Sequence, residues 1–231
     1  SCRRSASVRP RASCATPTKG FDFATKGRPK GRPFCICSPP YRLPSTDMGR
    51  PDRMEGLAIV SADGMIADAR GIQPDALKLE ADQHFFHAML DEATALAHGR
   101  NSSEGGPHLA RRRLILTRSI AGLARDPQTD TAVHWNPAGA TLEQAWDALG
   151  LSGGLLAVIG GTEPFGLFLE IGYDAFHLSR TSRAELPGGR PVFPGIPPSS
   201  PEDLLARHGL KPDPARILDP QAGLTLVRWR R

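Results

Sequence analysis

From residue 56 onward the chain alternates short apolar runs with amphipathic stretches. Residues 56–60, Gly-Leu-Ala-Ile-Val, form a continuous apolar run of the kind a strand buried on both faces needs. The turn signal Ala62-Asp63-Gly64 separates it from a short apolar piece over 65–67. Pro74-Asp75 marks a helix start. Leu77, Leu79, Phe85, Phe86, Met89 and Leu90 then supply an apolar face at helical spacing through Glu92. Residues 94–98, 113–117 and 131–135 read as further strands. Thr141 and Gln144 have the capping-box spacing and predict a helix to Leu149, closed by Gly150. A strand over 155–159 precedes a helix over 162–171, with Pro164 tolerated in its first turn. Another strand over 175–179 leads into a Pro- and Gly-rich loop over 187–201 and a short helix over 201–205. Two runs, 215–218 and 224–229, flank a turn from Asp219 to Gly223 and predict a closing hairpin. Strands alternating with helices, then a hairpin, specify the α/β class: a single domain over 54–231 with a mostly parallel central sheet, flanking helices and an antiparallel C-terminal hairpin.

Charge and cysteine set residues 1–53 apart. Of 29 Lys and Arg and 24 Asp and Glu in the chain, that stretch holds 12 and 3, leaving 17 basic and 21 acidic residues beyond it. The overall +5 therefore conceals a mildly acidic domain, whose charge argues against a specific nucleic-acid surface. All four cysteines (Cys2, Cys14, Cys35, Cys37) also lie in the first 53 residues, so no disulfide framework is expected in the domain, which fits a reducing, cytoplasmic setting. The stretch reads as a disordered basic extension or translated upstream sequence, with an Arg- and Ser-rich transit peptide the competing reading. No run approaches the roughly 20 apolar residues of a membrane span. Cys35 and Cys37 have one residue between them, and His84 and His87 lack a third ligand, so no metal is expected. Trp135, Trp146 and Trp229 are expected to pack in the core.

Three strand ends carry candidate chemistry. Gly160-Gly161-Thr162-Glu163 follows a buried strand and opens a helix, an arrangement that lets a pyrophosphate approach backbone amides. Gly99-Arg100-Asn101-Ser102 places a fixed cation beside amides and hydroxyls. Thr117-Arg118-Ser119 adds a second arginine and two hydroxyls. In open α/β sheets ligands bind at the carboxyl ends of strands, so the three together point to a phosphate-bearing cofactor.

In serial order, Gly99-Arg100-x-Ser102-x-Glu104, then Arg113-Leu-Ile-Leu-Thr-Arg-Ser119, then Val158-Ile-Gly-Gly161 with Phe165 and Phe168-Leu169 resemble dihydrofolate reductase. Ala175-Phe-His-Leu-Ser-Arg180 and Gly188-Gly-x-x-x-Phe193-Pro194 continue the likeness. The resemblance implies an eight-stranded sheet and NADPH as cofactor. It places Gly99, Arg100, Asn101 and Ser102 at cofactor phosphates and Thr117, Arg118 and Ser119 around the 2′-phosphate. Ile159, Gly160, Gly161, Thr162, Glu163 and Phe165 would line the pyrophosphate corner, and Ile66 and Ala67 would touch the nicotinamide. Asp82, four residues before Phe86, matches the family's catalytic acid, with Glu80 a competitor. Ser179 matches the residue that hydrogen-bonds that acid. Phe86 and Arg111 would bind substrate, Arg111 through the folate glutamate tail, although Arg112 and Arg113 compete for that register. The family's Pro-Trp before the first helix is replaced here by Ile72-Gln73-Pro74-Asp75.

The implied activity is reduction of 7,8-dihydrofolate to tetrahydrofolate by hydride transfer. Two alternatives stand beside it: the riboflavin-pathway reductase, which shares the fold and acts on a ribosylaminopyrimidine, and a non-catalytic NADPH-binding protein. The expected partner is a small pterin or pyrimidine, with the chain a monomer or homodimer.

Overall fold

The computed structural model describes residues 49–100 and 110–231. Expectations for residues 1–48, and for Asn101 and Ser102, lie outside the described residues.

The strands are β1 (Arg53–Val60), β2 (Met65–Ala67), β3 (Ala95–Gly99), β4 (Arg113–Leu116), β5 (Leu123–Arg125), β6 (Ala132–Trp135), β7 (Leu155–Gly160), β8 (Ala175–Thr181), β9 (Arg190–Pro191), β10 (Lys211–Pro212), β11 (Arg216–Asp219) and β12 (Leu224–Arg230). The helices are α1 (Glu80–Glu92), α2 (Leu142–Ala148), α3 (Thr162–Ile171) and α4 (Pro201–Arg207). The main sheet runs β10-β12-β8-β1-β7-β3-β4-β6-β5, with β11 paired to β12. Every pairing from β8 to β6 is parallel, while β12 and β5 join the two edges antiparallel. The α/β architecture and the antiparallel C-terminal hairpin are therefore as the sequence predicts. The sheet has ten strands instead of eight, because the short β5 and β10 extend its edges.

Alternation along β1 separates two layers. Val60 joins the large core under α2 and α3, with Trp146, Phe165, Phe168, Tyr173 and Phe176. On the other face, Leu57 packs with Leu90, Leu96 and Ala157 beneath α1, and Ile59 with Leu77 and Leu224. Gly56 is small for a reason: a Cβ there would meet the Phe176 ring at 2.3 Å. Just upstream of Met54, the Asp52 carboxylate accepts from the Gly154 amide at 2.6 Å and pins the start of β1 to β7. Trp135, Trp146 and Trp229 are all buried, as expected.

Capping decides two helices. Thr141 accepts from the Gln144 amide while the Gln144 side chain accepts from the Thr141 amide. Ser200 and Asp203 do the same for α4, with Pro201 at its start. The first helix departs from expectation. Pro74-Asp75 opens only a 3₁₀ turn over Asp75–Leu77, and α1 begins at Glu80. Burying Leu77 against Ile59 and Leu224 takes the chain out of helical geometry at Lys78, and α1 restarts without a side-chain cap.

Candidate active site

Because β8, β1, β7, β3, β4 and β6 run parallel, their carboxyl ends share one edge of the sheet. Register brings the three polar strand ends together: Gly99 pairs with Leu116 across β3 and β4, and His98 with Gly160 across β3 and β7. Arg100, Thr117 and Gly161 are the next residues out. All three line a cavity of about 950 Å³ that also runs beneath α1. Of the expected cofactor residues within the described segments, Ile66, Ala67, Gly99, Arg100, Thr117, Arg118, Ser119, Ile159, Gly160, Gly161, Thr162, Glu163 and Phe165 all line it.

The local geometry suits an anion. Gly161 has φ +90°, a conformation that disfavours a side chain, and begins α3 with no side-chain cap. Pro164 has no N–H, and the first bond of the helix runs from the Phe165 amide to Gly161, so the Thr162 and Glu163 amides lack intrahelical acceptors. The Thr117 and Ser119 hydroxyls sit 2.8 Å apart, with the Ser119 amide donating to Thr117. Arg100 and Arg118 are exposed at adjacent strand ends. These groups fit a dinucleotide with an extra phosphate: amides for the pyrophosphate, guanidinium groups and hydroxyls for the remainder. Three expected contacts need narrowing. The Glu163 carboxylate has the same sign as a phosphate, so only its amide can serve. The Thr162 hydroxyl already donates to the Pro191 carbonyl, tying β9 to α3. Phe165 is buried against Phe176 and Phe193 and only floors the cavity.

At the other end Asp82 projects from the first turn of α1 into the cavity, buried, with Ser179 of β8 as its hydrogen-bond partner. Burial holds its carboxyl above the ordinary aspartate value, and the Ser179 hydrogen bond pulls the other way. The competitor Glu80 is exposed and lies 3.8 Å from His84, on the solvent side of α1. Phe86 lines the cavity one turn after Asp82. Arg111 does not: its guanidinium donates to the Leu90 carbonyl and the Asp91 carboxylate at the end of α1, so it braces the helix instead of facing a substrate tail.

Sequence reasoning missed several lining residues. Leu57 and Ile59 come from β1 and Phe85 from α1, apolar positions that resemble core positions anywhere else in the chain. Arg70, Lys78 and Arg190 bring cations to the cavity from loops and from the two-residue strand β9. His177 comes from β8, two residues before Ser179 on the same face. Alternation along β8 was the one signal that could have found it.

No protein-family model matches the sequence, and no curated protein matches it. Solved structures do. A protein assigned to riboflavin biosynthesis from Shewanella sp. PV-4 is similar with a TM-score of 0.55 at 21% identity, over 78% of this chain and 98% of that one. A diaminohydroxyphosphoribosylaminopyrimidine deaminase/5-amino-6-(5-phosphoribosylamino)uracil reductase from Thermotoga maritima gives 0.54 at 19% identity, over 78% of this chain and 56% of that one. A pyrimidine reductase-like protein from Corynebacterium diphtheriae gives 0.54 at 17% identity, over 82% and 95%. The fold is thus the one these three structures have. The resemblance to dihydrofolate reductase in particular has no counterpart among these three. Among the described residues, no helix is long and apolar enough to cross a membrane, and no group of three or more His, Cys, Asp or Glu could hold a metal ion.

Proposed function

We propose that the cavity binds NADPH and that the chain is an NADPH-dependent reductase acting on a nitrogen heterocycle of the pyrimidine class, as in reduction of a ribosylaminouracil. One observation carries this reading: a cation- and glycine-lined row of strand ends and one buried carboxyl open onto the same cavity. Bound NADPH supplies a hydride. The protein's part is to hold the heterocycle against the cofactor and to manage the accompanying proton. Asp82, kept protonation-prone by burial and oriented by Ser179, is placed to favour protonation at a ring or imine nitrogen, directly or through water. The similar structures support the pyrimidine substrate over a pterin.

A second reading, reduction of 7,8-dihydrofolate, is favoured by Asp82 itself. The buried acid, its Ser179 partner and Phe86 one turn on are the set the sequence resemblance implies, whereas the placement of Arg111 takes away the expected grip on a glutamate tail. The test follows the absorbance of NADPH with each substrate in parallel, for the wild type and Asp82→Asn. Oxidation with the ribosylaminouracil that collapses in the variant supports the first reading, and the same pattern with dihydrofolate supports the second. NADPH binding without turnover of either leaves a binding protein.

A further inference from the structure

One wall of the cavity carries His177, whose buried hydrogen bond to Glu55 the proposed chemistry does not use. Glu55 of β1 and His177 of β8 are both buried, and His177 Nε2 lies 2.9 Å from a Glu55 carboxylate oxygen. Arg53 at 3.3 Å and Arg228 at 3.7 Å flank the other oxygen. With two guanidinium groups and an imidazole around it, this carboxylate is an acceptor, so Nε2 is the donor nitrogen of the ring. In the uncharged form of that tautomer Nδ1 is the acceptor. Nδ1 makes no hydrogen bond among the described residues, and it is not one of the fully enclosed polar atoms left without a partner. The ring lines the cavity, with Phe85 packed against it at 5.4 Å. His177 and Ser179 alternate along β8, so the imidazole lies one pleat from the hydroxyl that faces Asp82.

Building on the reading of this cavity as a heterocycle site, we infer that the Glu55–His177 pair is a second polar subsite, in which Glu55 locks the imidazole so that Nδ1 accepts an N–H or O–H from the substrate. Asp82 and His177 then read two polar groups of one bound molecule. The ligand class is a heterocycle with a donor, an amino or hydroxyl substituent, displaced from the nitrogen that Asp82 serves. His177 is here a positioning and specificity residue. Burying a carboxylate merely to hold β1 to β8 calls for no imidazole in the cavity wall; reading a ligand does.

The test uses the full chain, with dihydrofolate and 5-amino-6-ribosylaminouracil as probes and NADPH titrated separately. In His177→Phe the better-bound probe should weaken about tenfold, the loss of one neutral hydrogen bond. NADPH affinity should stay within about twofold, and His177→Gln, which keeps an acceptor, should recover part of the loss. Nitrogen-15 spectra of the wild type give a readout independent of any variant's folding. The His177 ring should be the Nε2–H tautomer, and its Nδ1 resonance should shift when the probe is added. Unchanged probe binding in a folded His177→Phe, or an Nδ1 resonance blind to bound probe, overturns the subsite. If Asp82→Asn still abolishes turnover in that case, the reductase reading survives. A wild type that binds NADPH but neither probe also overturns the subsite, and one that binds no NADPH overturns the reductase reading itself.

Discussion

The two ends of the cavity are built from different materials. The end proposed for the dinucleotide is set by main-chain pairing: β3, β4 and β7 stop in register, and a glycine, an arginine or a hydroxyl comes next in each case. The end proposed for the heterocycle is side chains only: Asp82 and Phe86 from α1, Leu57 and Ile59 from β1, His177 and Ser179 from β8. Strand ends tolerate drift elsewhere in the chain because the sheet's own hydrogen bonds align them. Side chains that meet between a helix and two strands depend on how α1 rides the sheet, which is set by Leu57, Leu90, Leu96 and Ala157. A substitution at one end should therefore leave the other end working.

The largest effect expected is at Asp82. Asp82→Asn should lower turnover by about 10²- to 10⁴-fold, the usual range for a positioned acid, with NADPH affinity unchanged in a fluorescence titration. It should also stabilise the fold near neutral pH by about 0.5–2 kcal/mol in urea unfolding. The sign is set by burial. The native carboxyl holds its proton more tightly than the unfolded one, so its contribution to stability is greatest below the ordinary aspartate value and is lost as the pH rises through that value toward the raised native one. If cofactor affinity fell in step with turnover, the separation between the two ends would be gone.

Next in size is Glu55. Glu55→Ala leaves the buried His177 donor without its acceptor and should cost about 1–3 kcal/mol, against a smaller loss for Glu55→Gln, which keeps an acceptor. The hydrogen bond from His177 is the main cause holding the Glu55 carboxyl below the ordinary glutamate value, opposed by burial. Its stabilisation is therefore present above that value and is lost as the pH falls through the depressed one. Comparing wild type with Glu55→Gln across an acid unfolding series checks this; parallel curves would mean that the pair contributes nothing to stability.

What could be read from the sequence divides along the same line. Continuous apolar runs announced β1, β4 and β7, and the Thr141–Gln144 spacing announced α2, because each signal is local. Gly160-Gly161 and Thr117-Arg118-Ser119 could be recognised as strand ends for the same reason. Asp82 was visible only through its spacing to Phe86, and Glu80 competed until the helix face was known. His177 and Glu55 were silent: 122 positions separate them, and nothing near either residue in sequence signals the other. The three-residue β5 and the two-residue β9 and β10 are too short to leave a pattern; partners create them. The contacts of Arg111 were not legible because an arginine before a strand reads the same whether it faces a ligand or braces the end of α1.

At the dinucleotide end, Gly161→Ala puts a Cβ on a residue at φ +90° and should cost about 1–2 kcal/mol in stability. The same methyl obstructs the approach to the start of α3, so NADPH should bind about tenfold more weakly. Heterocycle binding measured without cofactor should be unaffected. If the heterocycle also weakened, the corner would be bracing α1 and its neighbours, and the main-chain character of this end would no longer set it apart.

The smallest effect expected is at Arg118, and it bears most directly on which dinucleotide belongs here. An exposed guanidinium on a phosphate contributes only about 1 kcal/mol once solvent screens it, so Arg118→Ala should weaken NADPH about fivefold. NADH, which lacks the extra phosphate, should bind the variant as it binds the wild type. The difference should shrink as salt is raised from low ionic strength, because the contact sits in water and not in the core. Thr117 and Ser119 are already bonded to each other, so they hold the loop's shape when the arginine is gone, and the loss should be one of charge alone. Equal weakening of NADPH and NADH would move Arg118 from the extra phosphate to the shared pyrophosphate. That result would leave Arg100, one strand away, to distinguish the two cofactors.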